Sequence, residues 1–348
     1  MKTRSIQLII IVFCAMALSS CTSLLYTSLD VMRPAKVSFD PLATNILIVN
    51  NTAIQPADFG HKTLLLNEQT KNVVVSTDSL PLFTISSLAE ELDGKNFFSS
   101  VQVHEKSLYL NPDFSKMNTL ALDSVMALCK STGADVILSL DRIKVNDILT
   151  EDYIVESGKY IDALELNFES SWSVYYPNNK ESDSYQFKDT LYWENESENR
   201  RKAFANLPKR ENALVDGALY VGKKSLTRFI PNWEKVDRYF FDSSNKIMQQ
   251  GMDSIYVKNW GAAISIWEKV LDESKSPWIK AQASNNIAIT YEIQGDVDSA
   301  LKFATQSYYT LGTLDIVNYD YYEHVAQYVT ALGKRKLELD ILKKQLGE

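Results

Sequence analysis

The chain has 348 residues, and its 44 acidic residues outnumber its 36 lysines and arginines, giving a formal net charge of −8. This balance speaks against a nucleic-acid partner, which needs clustered Lys and Arg. Of its three cysteines, Cys14 lies in an N-terminal apolar segment and Cys21 lies at the end of that segment. Cys129 therefore has no partner for an intrachain disulfide. The folded part is therefore expected to depend on the size of its hydrophobic core.

The N-terminus has the pattern of a secretory signal. Lys2 and Arg4 precede an unbroken apolar run over residues 8–18. At about eleven residues this run is too short to cross a bilayer, where roughly eighteen to twenty are needed. It ends in Leu-Ser-Ser-Cys at Cys21, which resembles the lipobox of bacterial lipoproteins. The resemblance implies removal of residues 1–20 and a lipid on Cys21. The alternative is an ordinary signal peptide that happens to contain this cysteine.

These features predict a protein of the cell envelope, anchored by its lipid to the outer membrane, with the inner membrane as the alternative. After Cys21 no apolar stretch approaches the length of a membrane span, so anchoring without crossing is expected. Residues 21–36 mix apolar and polar side chains and contain Pro34. We expect them to form a lipid tether with little structure.

Residues 37–233 have the pattern of an α+β or α/β domain. Short apolar runs rich in β-branched residues predict strands, and apolar residues at helical spacing predict helices. The strands are expected at 45–50, 71–76, 101–110 and 134–145, and the helices at 80–93, 119–132 and 211–229. We therefore expect a mixed sheet that is covered by helices, with Cys129 in its core.

Two alternating runs, 160–176 and 184–194, flank a turn around Pro177 and predict an antiparallel hairpin. Aromatic residues such as Trp172, Tyr192 and Trp193 lie in these runs. Aromatics on paired strands most often fill the sheet or its covered face. A sugar-binding platform is the alternative.

From about residue 237 the pattern becomes continuously helical, and two windows align with each other. Superposing Ala263 on Ala300 brings Gly251 onto Ala288, at a spacing near the roughly 34 residues of a tetratricopeptide repeat. At these packing positions residues 237–348 resemble the tetratricopeptide repeat (TPR) family. The resemblance implies an all-α domain of stacked helical hairpins. An unrelated bundle of helical hairpins is the alternative.

The TPR resemblance gives each packing position a role. Small residues stand where the two helices of a pair cross closely, large aromatic residues fill the space between pairs, and a glycine turns one helix into the next. The positions concerned are Gly251, Ala263, Trp267, Ala288, Tyr291, Gly295 and Ala300.

No catalytic, cofactor or metal motif is recognisable. The histidines His61, His104 and His324 are isolated in sequence, so no metal site is expected. The run from Gly217 onward nearly spells a phosphate loop, but Lys224 stands where Ser or Thr should hold magnesium. We therefore predict a protein that is not an enzyme and needs no cofactor.

The predicted function is that of a non-catalytic lipoprotein whose TPR-like helices bind a protein or peptide partner. Taken together, the parts resemble uncharacterised TPR-bearing lipoproteins of Gram-negative bacteria. The alternatives are a glycan-binding or ligand-binding lipoprotein and a hydrolase with an unrecognised site.

A short motif predicts a modification. Asp followed by Ser or Thr and an apolar residue resembles the acceptor motif of a general O-glycosylation system in some Gram-negative envelopes. The motif occurs at Asp78, Asp123, Asp189, Asp253 and Asp298. Asp-Ser pairs also cap helices, which is the preferred interpretation for those within helical patterns. Ser79 precedes Pro81 in a predicted loop and is the candidate for O-glycosylation.

Overall fold

A computed structural model describes residues 23–109, 113–178, 183–315 and 319–348. The predicted signal and Cys21 lie outside these residues. In chain order the elements are β1 (Ser23–Arg33), β2 (Asn45–Asn50), β3 (His61–Leu64), β4 (Lys71–Asn72), α1 (Leu80–Gly94), β5 (Ser100–His104), α2 (Leu122–Thr132), β6 (Val136–Ile154), β7 (Lys159–Tyr175), β8 (Asp183–Ser197), α3 (Arg200–Ala205), α4 (Arg210–Phe229), β9 (Asn232–Asp242), α5 (Lys246–Tyr256), α6 (Trp260–Glu273), α7 (Pro277–Ile293), α8 (Val297–Gly312) and α9 (Tyr319–Leu346). None of the helices in the described ranges has the length and apolar character that a membrane span requires.

The chain divides into two compact units. The sheet unit comprises Ala35–Pro231, and the helical unit combines the residues up to Pro34 with Asn232–Leu346. The predicted layout of a mixed-sheet region with an antiparallel hairpin, followed by a helical region, is confirmed at this level. The assignment of the helices to the TPR family stays a prediction.

The described part of the sheet unit contains a seven-stranded mixed sheet in the order β4-β3-β6-β2-β5, with β7 beside β6 and β8 beside β7. The long strand β6 is parallel to β2 over its first residues and to β3 further along, while β7 lies antiparallel on its other edge. A register shift between Leu140 and Arg142 marks the change of partner. The predicted hairpin is the pair β7–β8.

Both faces of the central strands are buried, which explains their unbroken apolar sequences. Ile46 and Ile48 of β2 face one core, which includes Leu88 of α1 and Phe229 of α4. Leu47 and Val49 face the other core. There they pack with Val125 and Cys129 of α2, and burial raises the pKa of the Cys129 thiol.

In the helical unit, each of the helices α5 to α9 packs on the next one in the chain. Their shared core includes the fully buried Trp267 and Ile287. The unit also contains an antiparallel ribbon, since β1 pairs with β9 over all eleven residues of each strand, from Ser23 opposite Asp242 to Arg33 opposite Asn232.

The ribbon corrects two predictions. Residues 21–36 are not an unstructured tether over the part described, because residues 23–33 form β1. The expected change of domain between 233 and 237 falls inside β9, so the helical unit is not all-α. Both predictions are wrong for the same reason. Each of the two strands is stabilised by a partner about two hundred residues away, which local periodicity cannot reveal.

Candidate functional site

The predicted packing residues of the first helix pair lie together. Gly251 on α5 and Trp267 on α6 face each other so closely that a β carbon built on the glycine would fall 2.1 Å from the indole Nε1. That Nε1 donates to the backbone oxygen of Met248 at 3.2 Å. Ala263 is also fully buried on α6. The first pair therefore crosses closely, and glycine is required at the crossing.

The second pair, α7 and α8, has the same character. Ala288 and Ala300 are fully buried, and the ring of Tyr291 stacks on Phe303 with centroids 5.6 Å apart. Gly295 adopts φ +85° in the turn between the helices, a backbone conformation that favours glycine. Asp296 then caps α8 by accepting from the backbone N–H of Ser299 at 2.9 Å.

Helix α7 holds the backbone of β9 through two adjacent amide side chains. Asn286 accepts from the N–H of Phe241 at 2.8 Å and donates to its carbonyl at 2.9 Å. Asn285 donates to the carbonyl of Tyr239 at 3.1 Å. Both asparagines bond to main-chain atoms of β9 and not to its side chains. Helix α7 therefore holds an extended segment in place. The sequence offers a signal for them, because paired Asn residues are disfavoured within a helix.

Two arginines of the ribbon form ion pairs with the helices, and one of these pairs is buried. The guanidinium of Arg238 on β9 donates to both carboxylate oxygens of Glu292 on α7, at 2.7 and 2.8 Å. Burial lowers the pKa of Arg238, but the hydrogen bonds to Glu292 outweigh it and raise the pKa overall. Arg33 on β1 pairs with the exposed Glu234 of β9 at 2.6 Å and with the half-buried Glu338 of α9 at 2.8 Å. The buried pair adds little net stability, because the desolvation of its two charges offsets their attraction.

Neither edge of the two-stranded ribbon has a further strand partner within the described residues, but amide side chains of α7 already bond to the backbone of β9, so β1 carries the candidate edge. Large aromatic side chains on the ribbon are exposed, with Tyr26 at 57% and Trp233 at 66%. A cavity of about 220 Å³ adjoins the ribbon and is lined by side chains such as Tyr239, His324 and Gln327. The helical unit therefore presents a rigid strand edge with aromatic side chains near it.

Polar clusters in the sheet unit are enclosed. Asp141, at the register shift of β6, accepts hydrogen bonds from Ser139 at 2.7 Å, Ser173 at 2.5 Å and Asn51 at 3.4 Å. Burial raises its pKa to about 6, which these hydrogen bonds only partly oppose. The cluster lies at the carboxyl ends of parallel strands, where ligands bind in open sheets. Here, however, Asp141 and its partners are buried side chains.

A second cluster joins β3, β6 and the start of α4. His61 Nδ1 is hydrogen-bonded to Asp147, and Arg210 Nε lies 2.7 Å from the other oxygen of that carboxylate. His61 and Asp147 are both fully enclosed, which leaves no room for a substrate beside the imidazole. In the ranges that the structure describes, no group of three or more His, Cys, Asp or Glu side chains is arranged to hold a metal ion.

The remaining predicted residues are scattered. Cys21 lies outside the described residues. Ser79 is exposed just before α1, and its hydroxyl makes no capping hydrogen bond to the helix. Trp172 is buried in the core, whereas Tyr192 on β8 is exposed and donates to Glu194 at 2.6 Å. The aromatics of the hairpin are thus split between core and surface.

Comparisons with known proteins give two family matches. One model, described as Domain of unknown function (DUF8603), matches residues 43–241, and another, described as Domain of unknown function (DUF6340), matches residues 249–334. No curated protein matches. Among solved structures, a neuraminyllactose-binding hemagglutinin homolog from Helicobacter pylori is similar at 11% identity, over 56% of this chain and 87% of that chain. Its TM-score is 0.27, which does not establish a shared fold. Because the first model spans more than half of the sequence, the chain belongs to the DUF8603 family of domains of unknown function.

Proposed function

We propose that the chain is a non-catalytic lipoprotein of the cell envelope, anchored by a lipid on Cys21, and that its helical unit binds a protein partner. The observation that carries the proposal is the edge of β1, which has no strand partner among the described residues. An unpaired edge presents a row of backbone N–H and C=O groups, and an extended segment of another protein can add to it as a further strand.

The ribbon is suited to this task because it is held in place. Asn285 and Asn286 fix the backbone of β9, and Arg238 is paired with Glu292. A rigid template lowers the entropy that a binding partner must lose. The exposed Tyr26 and Trp233 supply aromatic area of the kind enriched at protein interfaces.

The edge of β1 is a better candidate than the face of α7. In a TPR-like array a helix face is expected to take the partner, but here the amides of Asn285 and Asn286 are already bonded to β9. We therefore propose that TPR-like helices serve as the frame, and that the strand they hold is the binding element.

Site-specific photo-crosslinking in the native envelope tests the proposal. A photoreactive residue in place of the exposed Ser28 on β1 should yield one discrete protein adduct. The same residue in place of the exposed Lys269 on α6 is the matched control and should yield none. Equal adducts from both positions, or no adduct from Ser28, would contradict the proposal. Retention of the protein on polysaccharide without a protein adduct would favour the glycan-binding alternative.

The anchor is tested separately. Replacing Cys21 with Ala removes the thiol to which the lipid is attached, so the protein should stay unprocessed or appear in the soluble fraction. Fractionation of the envelope checks this result. Unchanged membrane partition of the variant, with unchanged processing, would refute the lipid anchor.

A further inference from the structure

Three oxygen-bearing side chains form a row across the long strands of the sheet unit. The register places Glu151 of β6 opposite Asp162 of β7, and Asp162 opposite Asn195 of β8. Directly opposed residues on paired strands share one face, with β carbons about 5 Å apart. Glu151 and Asn195 therefore flank Asp162 on the two neighbouring strands, near one end of the sheet.

The middle member of the row is a buried carboxylate without a hydrogen-bond donor. Asp162 is 0% exposed, and neither of its carboxylate oxygens accepts a hydrogen bond from any described residue. A buried carboxylate is normally bonded, paired or bound to a metal, because its desolvation is strongly unfavourable. The orphaned oxygens of Asp162 thus indicate that a partner of another kind belongs beside them.

The charges around Asp162 do not balance. Arg200 of α3 donates to Glu151 through Nε at 2.6 Å and through a terminal nitrogen at 2.7 Å. Its one positive charge therefore neutralises the carboxylate of Glu151. The cluster thus contains two carboxyl groups and one guanidinium, and that guanidinium is bonded to Glu151.

We propose that Asp162 and Glu151 together bind a divalent metal cation, with the side-chain oxygen of Asn195 as a third ligand. Two carboxylates match the charge of such an ion, and oxygen ligands are what Ca²⁺ and Mg²⁺ prefer. Ca²⁺ fits better, since it tolerates irregular geometry whereas Mg²⁺ demands an octahedron. The amide nitrogen of Asn195 donates to the carbonyl of Ala203 at 2.7 Å, and among the described residues its oxygen accepts only a long hydrogen bond from the amide of Asn206 at 3.5 Å, which a cation would replace.

Arg200 competes with the proposed cation for the carboxylate of Glu151. Its side chain is 52% exposed, so it can turn into solvent when a cation takes Glu151. Release of the guanidinium leaves two negative charges around one doubly positive ion, which restores neutrality. Removing the charge of Arg200 should therefore tighten cation binding, whereas removing either carboxylate should weaken it.

Equilibrium dialysis of the purified full chain against Ca²⁺ at pH 7.5 tests the site. The expected result is one ion per chain, with a Kd of about 10⁻⁴ to 10⁻³ M, the range of sites with few charged ligands. Asp162→Asn should weaken binding at least tenfold, and Arg200→Gln should tighten it several-fold. Asp152→Asn is the matched control, since Asp152 is exposed and adjoins Glu151 on the opposite face of β6.

Circular dichroism establishes that each variant is folded, and Glu151→Gln gives a second variant with the same expected loss. Absence of binding by the unaltered chain to Ca²⁺, Mg²⁺ and Mn²⁺ at about 5 mM, well above the Kd range of such sites, would overturn the proposal. Binding that is equal in Asp162→Asn and the unaltered chain would also overturn it, by showing an adventitious surface site. Unchanged or weaker binding by Arg200→Gln would refute the competition between arginine and cation.

Discussion

The backbone of Gly251 lies so close to Trp267 that a β carbon at the glycine would fall 2.1 Å from the indole Nε1 and 2.3 Å from Cε2. The indole cannot yield, because the side chain is fully buried and its nitrogen is bonded to the carbonyl of Met248. The crossing of α5 and α6 therefore depends on the absence of a single methyl group.

Gly251→Ala should destabilise the helical unit by about 1–3 kcal/mol, the usual cost of overpacking, despite a gain of roughly 1 kcal/mol in helix propensity. Gly261→Ala on α6 is the matched control, because a β carbon there has no atom within 4 Å. That control should be neutral or stabilising. Urea unfolding followed by tryptophan fluorescence measures both, and equal midpoints for the two variants would show that the crossing tolerates a methyl group.

Arg210→Met should destabilise the sheet unit by about 3–5 kcal/mol, the usual effect of removing one partner of a buried ion pair. The substitution leaves the enclosed carboxylate of Asp147 without its guanidinium and removes donors to the carbonyl of Lys62 and the hydroxyl of Thr63. Lys209→Met alters the preceding, exposed cation and should change the free energy of unfolding by about 0.5 kcal/mol at most. Chemical unfolding of the two variants provides the comparison, and similar losses would mean that the pair is dispensable.

Asp141 should make stability depend on pH below neutrality. Burial raises its pKa from 3.8 to about 6, so the folded chain holds this proton more tightly than the unfolded chain does. The contribution of Asp141 to the free energy of unfolding is therefore greatest below pH 4, falls as the pH rises to about 6, and is constant above. A shift of about two pKa units corresponds to roughly 3 kcal/mol.

Asp141→Asn lacks this titration, so the stability of the unaltered chain relative to the variant should fall between pH 4 and pH 6. Urea unfolding at several pH values measures the difference. A difference that does not change over this range would show that the carboxyl group titrates normally in the fold.

Ser79 should carry a glycan in protein isolated from its own envelope. Its hydroxyl is exposed and free of a capping hydrogen bond, which leaves it accessible to a modifying enzyme. Intact mass spectrometry should show mass in excess of the lipidated polypeptide, and Ser79→Ala should remove that excess. Ser254 also follows an aspartate, but it lies within α5 and bonds to the carbonyl of Gln250, so Ser254→Ala should leave the mass excess intact. Absence of any excess mass in the native protein would refute the prediction that Ser79 is glycosylated.

Local patterns predict those elements whose own sequence carries a strong apolar run or a clear stop or turn signal. The run NILIVN gives β2, the stop at Gly133 gives the end of α2, and the turn after Tyr175 gives the β7–β8 pair. The strand β1 escapes prediction because its partner β9 is distant in the chain. Helix α3 is only six residues long, too short to show helical periodicity, and it begins after the cap of Asn199.

The same distinction applies to the candidate sites. Gly251 and Trp267 can be paired from sequence, because a repeated spacing places both on a helical hairpin. The adjacent Asn285 and Asn286 mark an unusual position in a helix, but their hydrogen bonds to β9 cannot be predicted, because that strand is itself missed. In the sequence, Asp162 is one of several polar residues in an alternating run. Its burial is determined by the tertiary structure, which the alternation does not encode.

The position of β1 along the chain has a consequence for where binding would take place. Its first residue, Ser23, follows Cys21 by two positions, and two extended residues reach about 7 Å. With the acyl group that we propose on Cys21, the end of the ribbon at Ser23 and Asp242 would be confined to the layer of lipid headgroups. A partner strand would then be met by lateral diffusion in the plane of the membrane, from proteins held at the same surface, and not by free diffusion from solution.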